Sequence, residues 1–140
     1  MTETVNLRKL LWPTPLAILA AAVVNLIWYF IASALFPESV AAAKAVANEF
    51  SAVIATLVYW IIGLILFVVV ARFSSKPITH YTWLAIAALI ISFAFPFGAA
   101  QGELPGGATL DLTMILALEV MHMIAAAVAL PFVLKWVRQN

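Results

Sequence analysis

The chain has 140 residues, 66% of them hydrophobic and only 9% charged, with a formal net charge of +1. A soluble domain carries about 25% charged residues, so this chain has too few to cover a water-facing surface. Its near-neutral charge gives no electrostatic basis for binding nucleic acid. The absence of cysteine excludes disulfides, thiolate metal sites, thiol nucleophiles and thioether-linked haem.

A segment that crosses a bilayer needs ~20 mostly apolar residues in helical form, because no water is present there to satisfy the backbone. Four stretches qualify. The first follows Arg8 and Lys9, runs from about Leu11 to Leu35 and stops at Pro37. Its apolar part, Leu16 to Ala34, exceeds the ~7–15 residues of a signal-peptide core, so it reads as a span. Next, Val40, Ala43, Val46, Ala47 and Phe50 recur at helical spacing. They predict a short helix lying on the membrane, or an extension of the second span. The second span covers about Phe50 to Ala71 and stops at Arg72; the third covers about His80 to Phe97. Gly98 to Gly107 is rich in Gly and Pro and is expected to be a mobile loop. The fourth span covers about Leu110 to Leu134 and stops at Lys135. Pro96 and Pro131 are expected to kink or loosen the third and fourth spans. The fold class is therefore all-α: a polytopic membrane protein, one membrane domain over residues 1–140, built as a four-transmembrane-helix bundle with a short outer interfacial helix.

Orientation follows from Lys and Arg placement. Arg8, Lys9, Arg72, Lys76, Lys135 and Arg138 fall on one side and Lys44 alone on the other. This predicts a multi-pass protein of the inner (plasma) membrane with both termini cytoplasmic. Trp12, Tyr81, Trp83 and Trp136 then form an aromatic belt at the inner interface. Glu38, Glu49, Glu103 and Asp111 make the outer side acidic, a face that can attract cations.

Ionisable residues within a span are expensive and count as functional candidates. The fourth span carries Glu119 and His122, three apart and so on one face. Asp111, Ile115, Ala126 and Ala129 share that face. The first span offers Ala21, Ala22, Asn25 and Tyr29 on one side, the second Ala55, Tyr59 and Gly63, and the third Ala85, Ala88 and Ser92. Small residues permit close helix approach and polar ones bond across. Counted from the outer helix ends at ~1.5 Å per residue, Asn25, Tyr59, Ser92, Glu119 and His122 lie roughly 9–18 Å deep. Together with Asp111 above them, they are the candidates for binding a ligand or proton.

Metal and catalytic sites are not expected. Glu119-x-x-His122 has the spacing used in di-iron bundles, but those need a second such motif and two more glutamates. His80 sits at the inner boundary, out of level with His122 for a bis-histidine haem. No catalytic residue is expected: the chain lacks a Ser/His/Asp set, a phosphate-cradling glycine loop and carboxylates paired at one depth.

Pro13-Thr14-Pro15 between Trp12 and Leu16, Asn25, and Met121-His122 followed by small residues to Ala127 carry a resemblance. On these motifs the chain resembles an uncharacterised family of small bacterial four-helix integral membrane proteins. That resemblance implies the topology and no activity, cofactor or enzyme class. Two functions fit the sequence. One is a bundle that binds a small molecule, ion or proton at the polar layer. The other is a structural or accessory subunit that docks on a membrane protein partner, which four spans with ~10-residue tails would suit. The bilayer lipid is the partner common to both.

Overall fold

The computed structural model describes residues 3–102 and 104–137, without the Ala129 side chain. Glu103 and Arg138 lie outside the described residues. The helices are α1 (Pro13–Leu35), α2 (Pro37–Ala43), α3 (Glu49–Phe73), α4 (Pro77–Ala99) and α5 (Leu112–Val137). All except α2 are long and apolar enough to cross a membrane. Helix α1 packs against α3 and α5, and α4 packs against the same two. The order around the bundle is thus α1, α3, α4, α5, with α3 and α5 on a diagonal. Glu3, Val137 and the α3–α4 turn lie at one end, called here the near end; α2 lies at the far end.

Local chemistry sets the helix boundaries. Proline occupies the first turn of α1, α2 and α4, where its missing N–H would be unpaired in any case. This starts α4 at Pro77, ahead of the expected His80. Asn48 starts α3: its Oδ1 accepts from the Phe50 and Ser51 N–H groups at 3.0 Å each, while Ser51 Oγ accepts from the Asn48 N–H at 2.7 Å. That reciprocal capping satisfies three N–H groups that the helix itself leaves open. Asp111 caps α5, its Oδ1 accepting from the Met114 N–H at 2.7 Å. Helices α4 and α5 run on through Pro96 and Pro131. One missing N–H does not end a helix that neighbours support.

Two apolar clusters close the ends of the bundle. At the near end, Leu10, Ala17, Ala21, Trp60, Phe67 and Val133 pack together. The N-terminal segment, expected as a tail, is built into this end. The Glu3 carboxylate accepts from the Ile78 and Thr79 N–H groups at 2.7 and 3.2 Å, and so caps α4. The Asn6 N–H donates to the Val137 carbonyl at 3.2 Å, pairing a C-terminal carbonyl of α5. Trp12 and Trp83 are exposed here as the belt requires, but Tyr81 is not part of a belt. Its ring meets Phe67 edge-on, with centroids 4.9 Å apart, beside Gly63.

At the far end, α2 is a separate helix that buries Val40 and Ala43 against Tyr29, Ala32 and Met114. Phe50, on the same predicted stripe, is 72% exposed and belongs to α3 instead. The chain between the Gly-rich loop and α5 is tied to α2. The Thr109 N–H donates to the Ala42 carbonyl at 3.1 Å, and Ser39 Oγ donates to Asp111 Oδ2. Gly106 has φ +71, and a Cβ there would stand 3.0 Å from Ala45 Cβ; this turn therefore requires glycine.

Asn48→Ala should cost about 1 kcal/mol, the usual loss for a helix cap, whereas Asn48→Asp keeps the acceptor and should cost little. Thermal unfolding of the purified variants in detergent checks the difference.

Candidate functional site: a polar layer between two apolar clusters

Three pairings set the level of the helices. Trp28 Nε1 donates to the Ala117 carbonyl at 2.9 Å, Asn25 Nδ2 donates to Thr56 Oγ1 at 2.9 Å, and Phe67 meets Tyr81. Each joins antiparallel neighbours, so moving one residue up one helix moves one residue down the other. Carried along the bundle, they bring Asn25, Thr56, Ser92 and Glu119 to about one level. Tyr59, Trp60 and His122 follow about one turn nearer the near end.

Asn25 is buried, and Thr56 Oγ1, which accepts its amide, itself donates to the Ala52 carbonyl at 2.7 Å. The Thr56 hydroxyl thus both accepts and donates. Asn25 is half used: its Oδ1 is buried and accepts nothing. Glu119 is 8% exposed, and neither carboxylate oxygen receives a hydrogen bond. His122 Nδ1 stands 3.7 Å from Glu119 Oε2. That is too long for a hydrogen bond, so the two interact only through charge, and only when the imidazole is protonated. Trp60 Nε1 is buried without a partner in the next turn. Buried polar side-chain atoms are normally paired; apart from Thr14 Oγ1, about three turns away near the start of α1, the unpaired ones among the described residues gather in two adjacent turns of the bundle.

The remaining sequence candidates are placed differently. Tyr59 is 58% exposed, yet its ring sits edge-on to His122 with centroids 6.5 Å apart. Ser92 turns its hydroxyl back to the Leu89 carbonyl at 2.7 Å. Asp111 lies on the surface as the α5 cap. The Ser39 hydroxyl and then the Met114 N–H hold its carboxyl below the usual range. His80 bonds Ser74 Oγ at 2.7 Å in the α3–α4 turn, remote from His122.

The inward face of α3 is Thr56, Trp60, Gly63 and Phe67, not Ala55, Tyr59 and Gly63; Ala55 is exposed, as is Ala88 of α4. One residue of offset rotates a helix by about 100°. Helix α3 is apolar all round, so its periodicity carries no face signal. A usable cue was the spacing of Thr56, Trp60, Gly63 and Phe67. It stacks a hydroxyl and two large rings on one stripe.

Among the described residues no three His, Cys, Asp or Glu side chains gather to hold a metal ion. Glu119 and His122 alone fall short of the three or four protein ligands usual for zinc. The layer's open positions are mostly acceptors: Asn25 Oδ1 and both Glu119 oxygens. Every Lys and Arg of the described helices lies in an end turn, so no fixed cation answers them. A proton, or a guest that carries N–H donors and positive charge, fits this set.

The Glu119 carboxylate is buried with no hydrogen bond to offset its desolvation. Glu119→Met should therefore raise the melting temperature, since replacing a poorly paired buried charge by an apolar group of similar volume gains about 1–4 kcal/mol in other proteins. Thr56→Val should lower it, through a stability loss of about 0.6 kcal/mol or somewhat more, because it strips Asn25 of its acceptor. A destabilised Glu119→Met variant in the same detergent melt would make Glu119 a structural residue.

No curated protein and no solved structure matches the chain. A family model does match, over residues 5–139: the chain belongs to a family of unknown function, DUF6069.

Proposed function

We propose that the protein is a multi-pass membrane protein, both termini cytoplasmic, that binds a small cation in exchange for a proton at the Glu119–His122 layer. The observation that carries this is the buried Glu119 carboxylate with no donor on either oxygen. An ion buried without a partner costs several kcal/mol, about 3–5 where pairs have been broken experimentally. A proton on the Glu119–His122 pair removes that cost. So does an ammonium group whose N–H bonds reach Glu119 and Asn25 Oδ1. The two occupants use the same oxygens, so binding the second sends the first to solvent. Thr56 positions Asn25 through its hydrogen bond. The rings of Tyr59 and Trp60 offer π faces to a cation at this level. Glu38 and Asp111, exposed at the far end, favour approach of cations from that side.

Methylammonium is the simplest probe. In phospholipid nanodiscs the wild-type protein should bind it more weakly as pH falls, because protons compete for the site. Glu119→Gln should lose the binding and its pH dependence together. Titration calorimetry reads both. Methylammonium affinity that survives Glu119→Gln would overturn this function.

A second function has its own support. Helix α4 buries only Pro77, Ile78 and Pro96, while Ile90, Ile91 and Phe95 are each more than 60% exposed. Lipid covers such a face on a lone protein, and an accessory subunit would present it to a larger membrane partner. Mild solubilisation of native membranes distinguishes them: migration at the size of the lone chain counts against the subunit role.

A further inference from the structure

One face of the far half of α3 carries a shallow, wide-open groove of about 520 Å³, lined by α3 and its cap residue alone. Phe50, Ile54, Ala55 and Val58 form its apolar length. Asn48 and Ser51 form its rim, but their polar atoms are committed to each other, to the start of α3 and to the Lys44 carbonyl. The groove therefore has little to offer a polar body and suits an apolar one. At its deep end stands Tyr59, whose ring meets His122, which in turn lies 3.7 Å from Glu119. Both Glu119 oxygens are buried, and Tyr59 is the groove residue whose ring meets the neighbouring His122. With more than half its surface exposed, Tyr59 is not packed into the core.

We propose that the guest is a lipophilic ammonium ion that enters sideways from the bilayer along this groove. Its apolar body lies between Phe50 and Val58, and its N–H donors reach Glu119 when Tyr59 turns aside. This rests on the cation site proposed above and adds to it a substrate class and a route. The charge requirement comes from the unpaired acceptors, and the apolar requirement from the groove. A phospholipid amine is the other lipophilic source of the same group, and depth disfavours it. Glu119 lies seven residues past Leu112, the start of α5, or about 10 Å along the helix. A phospholipid would have to draw its phosphate to that depth, beside a carboxylate. A free amine carries no such anion.

The test compares octylammonium with methylammonium on the full chain in phosphatidylcholine nanodiscs. The signal of Glu119→Gln discs is subtracted to remove simple partitioning. Octylammonium should bind at least about tenfold tighter, a conservative share of the burial gain expected of its longer chain. Ala55→Trp fills the groove from a lipid-facing position; it should abolish that advantage and leave methylammonium binding as it was. Val58→Trp, one turn deeper, repeats the test should Ala55→Trp lower the melting temperature. Equal affinity for the two amines overturns the groove and leaves the cation site standing. So does an advantage for octylammonium that both tryptophan variants retain. Stronger binding of phosphatidylethanolamine than of octylammonium would assign the groove to lipid. Glu119-independent binding of both amines defeats the site and the groove together.

Discussion

Inside hydrocarbon a polar atom must find its partner within the protein, and the architecture of this chain follows from where that demand is met and where it is not. The helix ends meet it with care. Asn48, Asp111 and Glu3 each accept backbone N–H groups that would otherwise stay open. Asn6 does the same for a terminal carbonyl of α5. The middle of the bundle does not meet it. There Asn25 is half paired and Glu119 is unpaired, with apolar clusters on either side.

Magnitudes separate the two uses of polarity in that layer. A hydrogen bond between membrane helices contributes about 0.6 kcal/mol on average. The Asn25–Thr56 bond thus serves to align α1 with α3 more than to hold them together. A buried carboxylate without donors acts in the other direction and by a larger amount. Packing of small residues must outweigh it: Ala17, Ala21, Ala22 and Ala32 are all buried on one side of α1, where they let α3 and α5 approach closely. The N-terminal segment adds to this by packing Leu10 among Phe67, Val133 and Val137. The near end is thereby closed, and the far half of α3 is left with the open groove.

Much of the fold was legible because the signals are strong. Runs of ~20 apolar residues have few alternatives in a bilayer, and the four spans matched the helices to within a few residues at each end. The discrepancies trace to caps and prolines. Pro77 starts α4 early, and Asp111 starts α5 after Leu110. The inward face of α1 was also legible, since Asn25 and the alanines stand out among Leu, Ile and Val. The inward face of α3 was far less so, because nearly every residue there is apolar and lipid accepts any of them; the spacing of Thr56, Trp60, Gly63 and Phe67 was the usable cue. Trp60 and Phe67 took the inside because α1 offers small alanines opposite, a fact of packing rather than of pattern.

The polar layer divides in the same way. The sequence by itself determined that Glu119 and His122 share a helix face at the depth of Asn25, because spacing and rise along a helix are fixed by backbone geometry. It also determined the helical class and the number of spans, which depend only on the hydropathy of each segment. Tertiary structure decided which groups touch: Thr56 rather than Tyr59 bonds Asn25, Ser92 serves its own helix, and Asp111 serves as a cap. It also decided that Thr109 and Asp111, between the Gly-rich loop and α5, bond Ala42 and Ser39 of α2. These outcomes depend on the rotation of one helix against another. In an all-apolar helix that rotation is set by side-chain shape across the interface, which no single segment encodes.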